Sequence, residues 1–250
     1  LGHFVTARYG QAGLPKATIH ARLRGTAGQS FGAFIPSGIK LELIGDANDH
    51  VGKGLSGGVI VVRPDENASF PSNENIIAGN VIGYGATSGE LYLSGVVGER
   101  FMVRNSGATA VVEGAGDHAL EYMTGGKVVI LGKVGRNLGA GMSGGYAYVY
   151  KLQDFNVNAE ALRDDELRLL KPTPEQAREL RELIVQHETE TGSHIARTLL
   201  QDFEAEVDNF SVVMPTDYAS VLQILEDAAS NGDDPEGQEV WGRILEATNG

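Results

Sequence analysis

The chain has 250 residues, of which 42% are hydrophobic, carries a net charge of −13 and contains no cysteine. This composition is that of a soluble globular protein, and the lack of cysteine excludes disulfides, a thiol nucleophile and a cysteine-ligated iron–sulfur cluster within this sequence. No apolar run approaches the roughly 20 residues that span a bilayer, and the acidic balance disfavours nucleic acid, so we expect a cytoplasmic protein with neither a membrane nor a nucleic-acid partner.

Glycine content and charge both divide the chain near residue 150. Residues 1–150 hold 29 of the 34 glycines and carry 12 Lys and Arg against 11 Asp and Glu, whereas residues 151–250 carry 8 against 22. We therefore assign residues 1–152 to a glycine-rich β domain and residues 153–250 to an acidic helical tail. Because the chain begins at Leu1 rather than methionine, we expect a processed or excised piece of a longer protein.

Two segments of the first half, GKGLSGG (52–58) and GAGMSGG (139–145), fit the dinucleotide-binding pattern G-x-G-x-x-G. In a cofactor loop the glycines follow a strand and open a helix, so that a phosphate reaches the free N–H groups at the helix N-terminus. Here they are followed by β-branched and aromatic runs, VIVV (59–62) and YAYVY (146–150), which favour strands. The pattern therefore does not indicate a cofactor loop.

A repeat of about 19 residues explains these glycines better. Five segments end in glycine at steps of 31, 18, 19 and 19 residues, and the long first step contains a polar insert (64–75) that we expect to be a surface loop. Mostly apolar residues stand two positions after each glycine, at Ile60, Leu91, Thr109, Val128 and Ala147. Apolar residues also stand four positions after it, at Val62, Leu93, Val111, Ile130 and Val149. This period-two alternation indicates short strands in register.

A fixed period with short strands and many glycines predicts a parallel β-solenoid of about seven coils. Each coil must turn its corner at the same place. Glycine adopts positive φ there without strain, and it leaves room for the neighbouring coils about 4.8 Å above and below. We therefore predict a stacked column of structural corner glycines, Gly58, Gly89, Gly107, Gly126 and Gly145.

Helical signals replace the repeat after residue 150. TPEQ (173–176) is a capping box with proline at the first helical position, and Gly192 predicts the end of that helix. Ser193 begins a second helix, and further helices are expected from Thr216 and Asp234. A solenoid has open ends and exposed edges, so we expect this tail to pack on the coils or cap them.

Few residues suggest catalysis. The Asp–His pairs at 49–50 and 117–118 share a repeat position but lie three coils apart, about 14 Å, which exceeds the spacing of paired glycosidase carboxylates. We expect these aspartates to hydrogen-bond the turn backbone two residues on. His187 and His194 lack the spacing of a zinc pair. No catalytic, cofactor-binding or metal-binding residue is therefore assigned.

A compact polar group in the middle of the repeat, Arg100, Arg104 and Asn105, has two interpretations. These side chains can supply corner hydrogen bonds and surface charge, or they can form an interdomain contact. We name them as a candidate interdomain contact.

Six long motifs in order carry a family resemblance. They are GTAGQSFGAF (25–34), GDANDHVGKGLSGG (45–58), ENIIAGNVIGYGATSG (74–89), GERFMVRNSGATAVVEGAGDH (98–118), EYMTGG (121–126) and GRNLGAGMSGGYAYVY (135–150). Together with ETGSHIARTLL (190–200) and VVMPTDYASVL (212–222) they resemble the C-terminal GXGXG domain of the glutamate synthase large subunit. Ala119-Leu120 after GDH departs from the family pattern.

The resemblance implies a right-handed β-helix with an architectural role. It implies a parent oxidoreductase that makes two glutamates from glutamine and 2-oxoglutarate, with a cysteine amidotransferase domain, an FMN-binding synthase domain, an iron–sulfur cluster and electrons from NADPH or ferredoxin. We expect those domains, and an electron-donor subunit, to be the partners. We expect the isolated chain to be inactive and to hold no cofactor.

Two alternatives remain at this point. A β-helical subunit of another redox complex, such as formylmethanofuran dehydrogenase, shares the glycine repeat, although VVMPTDYASVL favours glutamate synthase. A free-standing carbohydrate-active solenoid would need a close pair of acids, which the repeat does not provide.

Overall fold

The computed structural model describes residues 1–248, and its first half is a solenoid of about seven turns. Each turn contributes one strand to a parallel ladder: β1 (Ile19–Arg24), β2 (Ile39–Ile44), β3 (Ser56–Arg63), β5 (Ser88–Val97), β6 (Ser106–Ala115), β7 (Thr124–Ile130) and β8 (Gly144–Tyr150), with the short β4 (Ile76–Ala78) beside β5. The solenoid with C-terminal helices is thereby confirmed. The right-handed sense of its coils stays a prediction.

The solenoid interior is a stack of apolar columns. Residues two and four positions after the corner face inward and are fully buried, as in Leu91 and Leu93 of β5. In β6 the inward residues are Ala110 and Val112, because Ala110 pairs with Leu91 and Val128. The prediction that Thr109 and Val111 occupy these columns was therefore wrong by one residue.

A helix precedes the first coil. Helix α1 (Gly2–Tyr9) inserts Val5 into the core beside the first turns, and a short helical turn follows it, so residues 2–12 are helical rather than part of a coil. Among the strands of residues 1–248, β1 pairs only with β2, and most of its residues are exposed. Its outer edge carries charged side chains such as Arg22 and Arg24, which is a common protection against edge-to-edge association.

The second half of the chain adds two strands to the same sheet. After α2 (Ala159–Arg163) come β9 (Leu167–Leu170), α3 (Pro174–Thr191), α4 (His194–Gln201), α5 (Phe203–Glu206), β10 (Phe210–Pro215), α6 (Thr216–Asn231) and α7 (Gln238–Ala247). Strand β10 pairs antiparallel with β8, and β9 pairs antiparallel with β10. The exposed edge of the last coil is thus covered by chain from the tail.

A second core forms where α3, α4 and α5 lie on the outer face of the ladder. Outward residues of the strands, such as Val61 and Val129, pack with Leu180 and Ile184 of α3 and Leu199 of α4. Three outward tyrosines of β8 also bind this layer. Tyr146 and Tyr148 donate hydrogen bonds to Glu179 of α3 at 2.8 Å and 2.9 Å, and Tyr150 donates to Glu206 at 2.6 Å.

The helix boundaries follow the sequence signals closely. The Thr173 hydroxyl accepts the Gln176 N–H and the Gln176 side chain accepts the Thr173 N–H, which confirms the capping box. Gly192 ends α3 in the left-handed region at φ 69°, and Ser193 caps α4. Helix α7 begins at Gln238, four residues later than expected. None of the helices in residues 1–248 is long and apolar enough to cross a membrane.

Candidate functional site

The corner of each coil has an unusual backbone. Three alternate residues take left-handed φ values between 54° and 74°, and glycine occupies the second and third of these positions at Gly52 and Gly54, Gly83 and Gly85, and Gly139 and Gly141. The corresponding residues of the three remaining coils are Gly32 and Phe34, Met102 and Arg104, and Leu120 and Tyr122. The G-x-G spacing is therefore the spacing of the left-handed corner positions, and the strands β3 and β8 predicted after two of these segments are confirmed.

Backbone hydrogen bonds along the stack join these corners. The Gly52 N–H donates to the Phe31 carbonyl of the preceding coil at 2.9 Å, and the Gly54 N–H donates to the Tyr84 carbonyl of the following coil at 2.8 Å. The same alternation recurs where Met102 donates to Ile82. Because alternate N–H groups bind opposite neighbours, each coil is fixed to the coils on both sides.

Four of the five predicted corner glycines lie level with one another. Strand pairing places Gly58, Gly89, Gly126 and Gly145 directly before the paired residues Val59, Glu90, Lys127 and Tyr146. A Cβ built on Gly126 would lie 2.4 Å from the Ala108 carbonyl oxygen, and one on Gly145 would lie 2.6 Å from the Gly126 carbonyl oxygen.

Gly107 lies one residue outside this column, and Ala108 takes the level position in β6. The Asn105 side chain accounts for the exception. Its Oδ1 accepts the N–H groups of Gly107 and Ala108, and its Nδ2 donates to the Ala108 carbonyl at 3.0 Å. A side chain thus stabilises the corner in this coil, and Ala108 does not need positive φ.

The structure brings Arg100 and Arg104 to one exposed corner but does not bring Asn105 with them. Both arginines are exposed at φ 62° and 56°, and within residues 1–248 neither makes an ion pair shorter than 4.0 Å. Asn105 is fully buried and is used by the turn. An interdomain contact at this place would therefore involve the two guanidinium groups and not the amide.

Two exposed aromatic side chains that the sequence did not predict lie at the same corner position as Arg104. Tyr122 follows Arg104 at the same corner position of the next coil and is 55% exposed, while Phe34 of the first coil is 62% exposed. Knowledge of the corner positions would have found both, since glycine occupies the equivalent place in three other coils.

The aspartates at 49 and 117 bind the next coil rather than their own turn. Asp49 Oδ1 accepts the Asn80 N–H and Asp117 Oδ1 accepts the Arg136 N–H, each at 2.7 Å. These backbone hydrogen bonds hold the pKa of Asp49 and the pKa of Asp117 below the usual range. The expected bond to the backbone two residues on was wrong, because coil stacking places an N–H of the neighbouring coil within reach.

A buried polar cluster joins the sheet to the α3–α4 turn. Glu113 of β6 accepts hydrogen bonds from the hydroxyls of Ser94 and Ser193 at 3.0 Å and 2.5 Å, and the fully buried His187 Nε2 lies 3.7 Å from the same carboxylate. Burial alone raises the pKa of Glu113, but His187 and Ser193 outweigh it, so this pKa lies below its ordinary value. The sequence signal was an acid at an outward position of an otherwise apolar strand.

Two clefts of 940 Å³ and 950 Å³ flank this cluster. The Lys and Arg side chains that line the first cleft are already paired. Lys40 pairs with Glu190 and Arg197 with Glu188, while Arg22 and Arg63 share Glu42 and Arg63 also pairs with Glu66. Within residues 1–248 no group of three His, Cys, Asp or Glu side chains could hold a metal ion. The strongest surface feature is therefore the corner with its unpaired arginines and exposed aromatic rings.

Comparison with known proteins matches residues 1–216 to the family described as the GXGXG motif. Similar relatives include the "Glutamate synthase [NADH]" of Schizosaccharomyces pombe, 51% identical over 89% of this chain, and the "Glutamate synthase [NADPH] large chain" of Bacillus subtilis, 47% identical over 92%. The "Ferredoxin-dependent glutamate synthase" of Pyropia yezoensis is 46% identical over 88%. The matched region spans 10%, 15% and 14% of the length of these three relatives.

Proposed function

The chain belongs to the GXGXG-motif family, and on this premise we propose that it is a domain of a glutamate synthase. The observation that carries the proposal is the identity of 46–51% to three glutamate synthases over about nine-tenths of this chain. The parent enzyme would convert glutamine and 2-oxoglutarate into two glutamates, with electrons from a reduced nicotinamide cofactor or ferredoxin. The chain contributes about a tenth to a seventh of such a polypeptide, so the reaction itself belongs to the other domains.

We propose a scaffold role for this domain. A glutaminase and a synthase must pass ammonia between them without loss to solvent, and this requires a fixed separation of their active sites. The stacked coils suit that task because alternate corner N–H groups bind both neighbouring coils, and Asp49 and Asp117 add side-chain bonds between coils. A rod held at every coil resists bending more than one held only by side-chain packing.

The cofactors of the reaction belong, in this proposal, to the other domains. The sequence has no cysteine, so it offers no thiolate to an iron–sulfur cluster and no cysteine nucleophile to an amidotransferase. Both G-x-G-x-x-G segments lead into strands, so neither opens a helix whose N-terminus could receive a cofactor phosphate.

Charge indicates which half contacts the catalytic domains. Residues 1–150 are nearly neutral, whereas residues 151–250 carry 8 basic and 22 acidic side chains. Burying unpaired charge is costly, so the solenoid is the better contact surface and most of the acidic tail stays in water. The corner with Arg100 and Arg104 is the docking point we favour on that surface.

Deletion of this region from the parent polypeptide tests the scaffold role. We expect the truncated polypeptide either to fail to fold or to hydrolyse glutamine to one glutamate and free ammonia, without forming the second glutamate from 2-oxoglutarate. Glutamate formation from added ammonia distinguishes these results, because a folded synthase domain would retain it. A stable truncated enzyme with full coupling would contradict the proposal.

A further inference from the structure

The third left-handed position of each corner forms a column along the stack, and in three coils it carries an exposed side chain in place of glycine. It consists of Phe34, Gly54, Gly85, Arg104, Tyr122 and Gly141, one residue from each successive coil. The hydrogen bonds establish the register, since the N–H of each of the first five donates to the following coil, at Lys53, Tyr84, Val103, Glu121 and Ala140. At about 4.8 Å a coil, the column is roughly 24 Å long.

The three larger side chains are held in a strained backbone. Phe34, Arg104 and Tyr122 have φ values of 57°, 56° and 54°, a region that L-residues other than glycine seldom adopt. Glycine occupies the same position in the other three coils, so the fold itself does not require a side chain there. Backbone strain of this kind is concentrated at functional sites.

Packing within the chain offsets little of this strain. Phe34 and Tyr122 remain 62% and 55% exposed, and Arg104 is exposed without an ion pair in the described part of the chain. By contrast, Met102 and Leu120 adopt left-handed φ at the inward corner position and are fully buried, so core packing explains them. The side chains of the outer column have no comparable role in the solenoid.

The column forms a shaped surface. The Phe34 ring lies over Gly54, where an added Cβ would be 2.4 Å from Cδ1 of that ring, and the Tyr122 ring lies over Gly141 at 2.7 Å. A Cβ on Gly85 would meet nothing within 4 Å, so a notch remains between Phe34 and Arg104. Aromatic rings fixed on backbone and an unpaired arginine are the side chains that dominate protein interfaces.

We propose that Phe34, Gly85, Arg104 and Tyr122 form a docking strip for an acidic segment of another domain of the same polypeptide. A carboxylate of that segment pairs with Arg104, the two rings cover its apolar side chains, and its backbone approaches the notch at Gly85. The inference rests on the proposed function, because the matched region is only 10–15% of the relatives' length and the remaining domains supply the occupant.

Hydroxyl-radical labelling of Phe34 and Tyr122 tests the docking. In the full-length polypeptide we expect both rings to be labelled about tenfold more slowly than in the isolated 250-residue chain, as for side chains in the dry centre of an interface. Arg104→Ala in the full-length polypeptide should restore labelling of Tyr122. Equal labelling in the two forms, or protection in the isolated chain that grows with its concentration and so indicates a second copy, would overturn the proposal.

Two substitutions of Arg104 in the isolated chain, by glycine and by alanine, test the backbone strain at this position. Arg104→Gly should raise the thermal midpoint by a few degrees, whereas Arg104→Ala, which keeps Cβ and the strained φ, should leave it nearly unchanged. A midpoint for Arg104→Gly at or below that of Arg104→Ala would refute the argument from strain. Glutamine-dependent glutamate formation by the full-length polypeptide, measured in parallel, reports on the proposed function separately from the labelling.

Discussion

Substitution of Gly126 by alanine tests most directly whether the column of level glycines, to which Gly126 belongs, is too crowded for a side chain. Gly126 has φ +87°, and an added Cβ would lie 2.4 Å from the Ala108 carbonyl oxygen and 2.6 Å from Asn105 Nδ2. The carbonyl belongs to the backbone of the adjacent coil, which cannot move without disturbing the stack. Gly85 provides a matched control, since it also has positive φ, +63°, but a Cβ there would meet nothing within 4 Å.

The two substitutions should differ by more than about 1 kcal/mol. Left-handed φ costs alanine about 1–2 kcal/mol, and the reduced freedom of the unfolded chain returns about 0.4–1 kcal/mol. For Gly85→Ala this leaves a destabilisation of about 0–1.6 kcal/mol. At Gly126 the contact with the neighbouring backbone adds about 1–3 kcal/mol, the usual cost of forced overpacking. We therefore expect Gly126→Ala to cost roughly 1–5 kcal/mol.

Equilibrium urea unfolding of the 250-residue chain, followed by circular dichroism, measures both values. Equal slopes of unfolding free energy against urea concentration for the wild-type chain and both variants would show that all three expose the same surface area on unfolding. A destabilisation by Gly126→Ala no greater than that by Gly85→Ala would refute the crowded column, because the two sites differ mainly in what lies beyond Cβ.

Three further predictions use the same chain. Thr173→Ala should cost about 1 kcal/mol in urea unfolding, because it removes the hydroxyl that caps α3; no loss would contradict the capping role. Asp49 and Asp117 have lowered pKa values in the fold, so their contribution to stability is present above about pH 4 and is lost as the pH falls through the folded-state pKa. Asp117→Asn should therefore weaken the dependence of stability on pH in this acid range, and an unchanged dependence would exclude the inter-coil bond as its source. Calorimetric titration with FMN and with NADPH should show no heat of specific binding, since the glycine segments lead into strands. Micromolar binding of either cofactor would contradict the prediction that this chain holds no cofactor.

The periodicity of the sequence predicted the solenoid because every coil has the same backbone geometry. A corner that turns through left-handed φ requires glycine or a tolerated substitute at fixed intervals, and inward strand positions require apolar residues. Both requirements leave a repeat in the sequence. The same logic placed the insert at 64–75 outside the repeat, where the structure has turns and a short helical turn between β3 and β4.

Register within the repeat was harder to predict. Glycine was taken as the marker of the corner, yet Asn105 replaces that requirement in one coil and shifts the glycine to Gly107. Residue identity at a single position does not reveal such an exchange between a side chain and a backbone preference. The inward position of Ala110 became evident only from the pairing of β6 with its neighbours.

Features that depend on contacts between distant segments could not be predicted. The cluster of Glu113 with His187 and Ser193 joins a strand to a helix turn far along the chain. Strand β10 carries no glycine repeat. It pairs with the edge of β8, and this contact between distant segments leaves no pattern in the sequence. That Phe34 and Tyr122 are strained is evident only from their φ values.

The scaffold role is tested most directly by adding the 250-residue chain back to a parent polypeptide that lacks it. The measurement is the number of glutamates formed per glutamine hydrolysed as the chain is titrated. We predict that this ratio rises towards that of the intact enzyme with the wild-type chain and with Gly85→Ala, and that Gly126→Val, which disrupts the coils, does not restore it. A ratio that is already complete without the chain, or that the Gly126→Val chain restores equally well, would contradict a scaffold built from stacked coils.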